Sequence, residues 1–406
     1  MLDEKENIQF QLTEHLIERV EHLIANERDK ELQLFLDDYH YADIAEILDE
    51  LNEDQALYII KLLDSDTTAD VLMELDEDIR EKVLENLSAK EIAEEIEELD
   101  TDDAADMISE LSEERQEEVI SKIEDEEHKA EIEELLTYNE NTAGGLMAKE
   151  LVKVYETWTV AGCMRRIRGQ AEDVTRVHSI YVVDREEKLI GRLSLKDLIV
   201  AKSDTKIAEI SNSNVDYVNV QDNTEDVAKV MQKYDLEAIP VVNNQQTLLG
   251  RITIDDIVDV IKEEAEKDYQ LAAGISQDVE ADDTIWELTK ARLPWLVLAL
   301  FGGFVSVSIL GGFSEAMENY PVLFFFTPLI AAMAGNVGVQ SSAIIVQGLA
   351  NDSLRGSAWN RLLKEVSQSL INGFVLAALL MSAGMFFLGF ELKVGITVAV
   401  SLVSVI

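Results

Sequence analysis

IYVVDREEKLIGRLSLKDLIV (residues 180–200) recurs fifty-nine positions later as IPVVNNQQTLLGRITIDDIVD (239–259). Ile180 answers to Ile239, Gly191 to Gly250, Ser194 to Thr253 and Asp197 to Asp256. Each copy reads as an apolar strand, a polar turn, a second strand entered through Gly-Arg, then a hydroxyl and an Asp that open a helix. Helical spacing precedes each copy, at 160–167 and 225–234. Two copies make a pair packed about a pseudo-two-fold axis. The hydroxyl and the Asp have two readings here: they cap their helices, or they hold a ligand.

Toward the N-terminus the rhythm changes. Leu51, Leu63, Leu75, Leu87, Leu99, Leu111, Ile123 and Leu135 recur every twelve residues. The first seven are followed by Asn52, Asp64, Asp76, Ser88, Asp100, Ser112 and Glu124, mostly good helix-capping types. Ser88 with Glu91 forms a capping-box pattern. Between beats the apolar residues keep helical spacing, as in Ile92, Ile96 and Leu99. This predicts a stack of helices of eight to ten residues that bury one face jointly. The other face is almost entirely carboxylate. It is either a solvated surface or a field of like charges that resists compaction until a divalent cation neutralises it.

Toward the C-terminus three uncharged runs occur, 293–313, 319–351 and 366–390, and a fourth starts at Val394. About 20 apolar residues cross a bilayer core as a helix, so spans are expected at about 293–313, 321–349 and 366–390. No Asp, Glu, Lys or Arg lies inside these runs. Arg292 precedes the first, the next loop carries Glu315 and Glu318, and the following loop carries Arg355, Arg361 and Lys364. Basic loops mark the cytoplasmic side, which places residues 1–292 in the cytoplasm, as does the charged start MLDEKENIQF. Asn336, Gln340, Ser341, Ser342 and Gln347 sit among small residues of the second run, with Pro328, Gly335 and Gly338 to loosen its helix. They read equally as glue between helices or as the lining of a pathway.

Charge separates these materials. The 406 residues carry a formal −47, which divides as −37 over 1–140, −10 over 141–290 and zero over 291–406. Acidity of that size opposes nucleic acid and attracts cations. The single Cys163 excludes a disulfide framework and a multi-thiolate metal site. His15, His22 and His40 sit among acidic helices as ordinary surface residues. No nucleophile–base pair, phosphate loop or catalytic metal motif is present, so an enzyme is not expected.

The duplicated unit resembles a tandem of cystathionine-β-synthase (CBS) domains. The order of acidic helical repeats, CBS pair, connecting helix and membrane spans is similar to the MgtE family of magnesium channels. The most specific points are AGGLM (143–147), IDDIVDVIKEEAEKD (254–268) and PLIAAMAGNVGVQSSA (328–343). The expected architecture is multidomain. An all-α right-handed helical-repeat domain (1–140) is followed by an α/β CBS tandem (141–204 and 205–265) and a connecting helix (266–292). An incomplete α-helical transmembrane domain (293–406) completes it. The resemblance implies a homodimer in a bacterial plasma membrane, in contact with lipid, with Mg²⁺ as both substrate and regulator. It also implies that bound Mg²⁺ compacts the cytosolic domains and closes the pore, and that ATP at the CBS pair tunes the response.

Position by position, the resemblance implies metal ligands at Asp70, Asp102, Asp106, Gly145 (through its carbonyl), Asp197, Glu225, Asp235, Asp256, Asp259, Glu264 and Asp268. It implies pore residues Asn336 and Gln340, and nucleotide contacts from Ser194, Asp197, Thr253, Asp255 and Asp256. Lys267 stands where the family pattern has an acid, and Ser179 and Leu236 stand where it has aromatic residues against adenine. The family's selectivity-bearing Asp belongs to a later membrane helix than those read here. A CBS-regulated transporter of another ion and a membrane-tethered divalent-cation sensor that does not conduct are the competing readings.

Overall fold

The computed structural model describes residues 10–170, 177, 179–277, 279, 283–350, 357–387, 389 and 391–406. The charged start at 1–9, Arg355 and Phe390 lie outside them. The chain divides into two units, Met1–Ile261 and Lys262–Ile406.

The first unit begins with helices α1 (Glu14–Ala25), α2 (Asp29–Leu36), α3 (Tyr41–Asp49), α4 (Glu53–Ile60) and α5 (Ser65–Glu74). They continue as α6 (Glu77–Asn86), α7 (Ala89–Ile96), α8 (Thr101–Ser109), α9 (Glu113–Ile120) and α10 (Glu126–Leu135). From α3 onward the helices follow the twelve-residue beat. Asn52, Asp64 and Ser88 accept the backbone N–H three residues on, as good caps do. The last beat is displaced by one residue: Asp125 rather than Glu124 caps α10, taking the N–H groups of Glu127 and His128. Glu124 instead donates its backbone N–H to the Glu97 carboxylate.

Alternate helices pack: α3 on α5, α5 on α7, α7 on α9, α4 on α6 and α8 on α10. The structural period is therefore two beats. Leu51, Leu75, Leu87, Leu99, Ile123 and Leu135 are buried at the turns, each worth about 1.5–3 kcal/mol of hydrophobic stabilisation. Rungs are tied by side chains that reach across the layer. Arg80 pairs with Glu110 while its Nη1 reaches the Met73 carbonyl at 3.0 Å, and Ser65 Oγ donates to Glu95 at 2.8 Å.

Two equivalent three-stranded sheets follow. The first copy comprises β1 (Val152–Tyr155), α11 (Val160–Gln170), β2 (Ile180–Val183), β3 (Leu189–Leu193), α12 (Leu195–Val200) and α13 (Ile207–Ile210). The second comprises β4 (Val218–Asn219), α14 (Thr224–Tyr234), β5 (Ala238–Val242), β6 (Leu248–Thr253) and α15 (Ile254–Ala272). Both sheets run in sequence order, parallel then antiparallel, with Val182 opposite Gly191 and Val241 opposite Gly250. Lys188 bridges Thr247, its own counterpart, so the pseudo-two-fold passes between the two turns.

The copies exchange flanking segments. Thr142 and Ala148 pair with Asn223 and Arg251 of the second copy, while Lys206 and Asn212 pair with Thr159 and Arg192 of the first. The sequence boundary near 204–205 therefore separates the strands but not the structural lobes. At Gly250 a Cβ would stand 2.6 Å from the Ala148 carbonyl oxygen, so only glycine admits this close approach. The helical repeats and the second copy share one core, in which Ala104, Met107 and Ile108 join Ile252 and Ile257.

In the second unit, the segment expected as one connecting helix over 266–292 is interrupted. Helix α15 ends at Ala272, and Gly274 adopts φ +79° against the Trp295 indole. Helix α16 (Ile285–Gly311) starts eight residues before the expected span and contains Pro294. The N–H and Oγ of Ser276 both bond the Ala291 carbonyl, at 3.0 and 2.9 Å, one turn before that proline. There follow α17 (Ser314–Asn319), α18 (Pro321–Phe324), α19 (Thr327–Ala350), α20 (Ala358–Phe387) and α21 (Leu392–Val405).

Among the described residues, three helical stretches are long and apolar enough to cross a membrane: Ile285–Gly311, Pro321–Gly348 and Trp359–Phe387. Helix α19 runs unbroken through Gly335 and Gly338, because Pro328 sits in its first turn, where no N–H is missed. Helix α20 begins two turns before the uncharged run and brings Arg361, Lys364 and Glu365 into the helix. Glu365 accepts the Ser341 hydroxyl of α19 at 2.5 Å.

Candidate metal centre

Helix α8 carries TDDAADMIS, whose Ala104, Ala105, Met107 and Ile108 are buried. That face anchors the helix and leaves Asp102, Asp103 and Asp106 on its remaining surface. Asp100 precedes the helix in extended backbone, yet makes no capping bond. Its carboxylate instead lies 3.6 Å from the guanidinium of Arg251, a buried residue of β6.

At the first position of α8, the fully buried Thr101 gives its N–H and its hydroxyl to the two oxygens of Glu150, at 3.2 and 2.9 Å. Its Oγ1 accepts the Lys149 N–H at 2.8 Å. These bonds bring a carboxylate forty-nine residues away into the cluster. Asp100, Asp102 and Glu150 hold carboxylate oxygens within 4.8 Å of one another.

From the CBS side, Asp255 and Asp256 occupy the first turn of α15. Thr253 donates its N–H and its hydroxyl to Asp256 at 3.0 and 2.8 Å.

The electrostatic consequence is large. Lost hydration first, then the neighbouring acids, push Asp100 up to about 6. The same causes hold Asp103 and Asp106 at about 7, with Asp256 the leading charged neighbour of each. Asp102 rises well above the usual carboxylate range for the same reasons, with Asp103 its strongest neighbour. Asp256 also rises by burial, restrained by its bonds from Thr253. Packing thus forces together more negative charge than the site can comfortably ionise. All the donors are hard carboxylate oxygens, a set suited to Mg²⁺ or Ca²⁺ rather than to a thiolate-seeking metal.

Of the residues expected as metal ligands, Asp102 belongs to the converging trio with Asp100 and Glu150, and Asp256 is a charged neighbour of both Asp102 and Asp106. Asp70 lies on α5, raised by burial and by Asp66, with His40 opposing. Glu225 pairs with Lys229 at 2.6 Å, and Gly145 lies in a turn where a Cβ would meet the Asn139 carbonyl oxygen at 2.6 Å. Asp259 is exposed on α15, and Asp268 is half-buried further along it. Glu264 faces Lys267 at 3.6 Å, so a lysine supplies an internal cation beside that expected ligand.

The two hydroxyl–Asp pairs part company. Ser194 and Asp197 form a capping box on α12, with Ser194 Oγ donating to Asp197 at 2.7 Å, which draws the Asp197 carboxyl below its ordinary value. They line a cavity of about 390 Å³ with Ser179, Arg192, Tyr234, Asp235 and Leu236. Asp235 caps α14 there in left-handed backbone. Thr253, Asp255 and Asp256 occupy the equivalent positions in the second copy but belong to the acidic cluster.

Asp100, Asp103, Glu150 and Arg251 were not anticipated. Asp103 was legible as the neighbour of Asp102. Nothing local marks Glu150 or Arg251, which reach the cluster only through tertiary pairing. Asn336 and Gln340 lie one turn apart on α19, both exposed.

Comparison with known proteins follows the same division. Residues 39–141 match the model of the MgtE intracellular N domain, 143–204 and 207–263 match the CBS domain, and 327–406 match the divalent cation transporter model MgtE. The crystal structure of the cytosolic domain of the Mg²⁺ channel MgtE in complex with ATP aligns at 34% identity. That match covers 60% of this chain and 99% of that one, with a TM-score of 0.57. The chain belongs to the MgtE family. The magnesium transporters MgtE of Enterococcus faecalis and Thermus thermophilus are each 39% identical. Those matches cover 59% and 60% of this chain, and 53% and 55% of the relatives. The chain thus spans about half the length of the curated MgtE relatives it matches. MgtE proteins are membrane transporters rather than enzymes, and the three apolar helices of this chain accord with that.

Proposed function

We propose that this chain forms the cytosolic sensor and the first membrane helices of a Mg²⁺-selective channel that closes when intracellular Mg²⁺ rises. One observation carries the reading: packed segments of the helical-repeat domain and the CBS pair confront each other through carboxylates that resist ionisation. Asp102, Asp106 and Asp256 would hold Mg²⁺ there, with Asp100, Asp103 and Glu150 beside them. The bound ion would supply the positive charge that the cluster lacks. Without it, Asp102, Asp103 and Asp106 repel Asp255 and Asp256 and favour separation of α8 from α15. A few kcal/mol from such weak sites is enough to reverse a two-state gate. Asn336 and Gln340 orient water around the passing hydrated ion. The basic flank of Arg292, Arg361 and Lys364 keeps the sensor on the cytoplasmic side of the plasma membrane.

The test is Mg²⁺ entry into dye-loaded liposomes that carry the full-length protein, with low or high Mg²⁺ on the sensor face. Flux should fall as sensor-side Mg²⁺ rises. Folded protein without flux under either condition would leave a sensor that does not conduct, and flux of another ion alone would leave a different transporter.

Homodimerisation is supported by apolar side chains at pseudo-equivalent positions on α12 and α15. Leu195 and Ile254 are 40% and 38% exposed, and Ile199 and Val258 are 74% and 55% exposed. Each pair has the fifty-nine-residue offset of the repeat, so one axis presents both faces to a second copy. Ile199→Asp with Val258→Asp should weaken the dimer at least about a hundredfold, given about 1.5–3 kcal/mol for each buried aliphatic side chain. Mass photometry in detergent reads this directly, and an unchanged dimer would move the interface elsewhere.

The cavity beside Ser194 and Asp197 suits a nucleotide: hydroxyl and carboxylate for a ribose, Arg192 for phosphate and Tyr234 as an aromatic wall. We assign ATP to it as a modulator.

A further inference from the structure

We propose that Arg251 is a resident cation of the acidic cluster, one that competes with the divalent ion and sets the metal concentration at which the cluster is neutralised. This rests on the sensor reading and adds to it the group that determines its working range.

Three observations converge on that residue. Arg251 is 5% exposed and exchanges both backbone bonds with Ala148, its N–H at 2.9 Å and its C=O at 2.8 Å. Ala148 lies two residues before Glu150, so one backbone pairing delivers both the guanidinium and that carboxylate to the cluster. The missing side chain at Gly250 lets the two segments lie this close. Second, the guanidinium acts on more than one acid. It stands 3.6 Å from Asp100 and draws the Asp100 and Asp256 carboxyls downward against burial. Third, the repeat provides a built-in comparison. Arg192 holds the same Gly-Arg position in the first copy and lines the cavity beside Ser194 and Asp197. The duplicated motif supplies an arginine in both places, and the helical-repeat domain surrounds only the second with acids.

A guanidinium cannot shed its proton in a protein, so this charge is constant where the surrounding carboxylates are not. It neutralises part of the field that would attract a divalent ion, and it repels that ion once bound. Arg251 touches no substrate in this scheme. It is a positioning residue that shapes the field of the ligands.

The experiment is a thermal-unfolding series on the full chain in detergent, with MgCl₂ alone as the probe and choline chloride holding ionic strength. Arg251→Met should lower the metal-free midpoint, because the acids lose their counter-charge. It should also lower the half-saturating Mg²⁺ concentration on the order of tenfold, the effect of one unit charge acting on a divalent ion across several ångströms of screened protein. Arg251→Lys, which keeps the charge, should restore most of that shift. A merely structural role would lower the metal-free midpoint and leave half-saturation where it is in the wild type, and that result overturns the proposal. If the wild type shows no Mg²⁺-dependent rise at all, the sensor reading fails and this inference falls with it. Should the methionine variant not fold, Arg251→Gln takes its place with the same two outcomes.

Discussion

Asp102→Asn, Asp106→Asn and Asp256→Asn, combined in one chain, should raise the metal-free unfolding midpoint and abolish its response to Mg²⁺. The three carboxyls rise above their ordinary value because burial and mutual repulsion disfavour the charged forms. Asparagine keeps the shape, still accepts the bonds from Thr253, and removes the repulsion. In the wild type, each site occupied at ten times its Kd contributes about 1.4 kcal/mol. A contribution of that size moves the midpoint by about 3–6 °C. The triple variant should lose that gain, and in liposomes its flux should persist at high sensor-side Mg²⁺. Calorimetry with and without saturating Mg²⁺ is sufficient. A normal Mg²⁺-induced rise in the variant would remove the sensor from this cluster.

The second large effect is on pH. Asp103 and Asp106 titrate at about 7 in the folded chain and Asp100 at about 6, against an ordinary 3.8. A carboxyl that holds its proton more tightly when folded stabilises the fold while protonated. That contribution is complete below the unfolded value and is lost as pH climbs through the folded one. Metal-free protein should therefore lose stability between about pH 5 and about pH 8. If solvent screening leaves a net of about two pKa units across the cluster, the difference is about 2.7 kcal/mol. The midpoint at the acidic end should then stand about 5–10 °C higher. Outside the cluster, burial also raises Asp49 to about 6 and raises Asp70, Glu95 and Glu131, so these acids add to the slope in the same direction, whereas Glu91, Asp125, Asp184, Asp197 and Glu187 are drawn below their ordinary values and titrate beneath this window. Saturating Mg²⁺ should flatten the dependence, because the ion supplies the charge that protons supply at low pH. A metal-free midpoint that rises from the acidic to the basic end would contradict the crowding of these acids.

Much of this is legible in the sequence. The twelve-residue beat placed α4 to α10, because a leucine turn followed by a capping side chain is a local signal. The Gly-Arg repeat placed β2, β3, β5 and β6 and their helices for the same reason. Misplacements came where a tertiary bond overrode a local one. Asp100, of a good capping type, faces Arg251 instead, and Glu124 yields the cap to Asp125. The connecting helix broke at Gly274, where the Trp295 ring occupies the space a side chain would need.

By itself the sequence determined the order of domains, the helical stack, the duplicated sheet, the apolar spans and the acidity of the front. Each of these rests on residues within a turn or a strand of one another. Only the tertiary structure decided which carboxylates meet. Asp102 meets Asp256 across more than 150 residues, Glu150 arrives through Thr101, and Arg251 arrives through Ala148. It also decided that Thr253 and Asp256 serve the cluster while their counterparts Ser194 and Asp197 line a cavity. The physical reason is that capping and periodicity are properties of neighbours along the chain. Loss of hydration depends on what packs above a residue, and here that is a different domain.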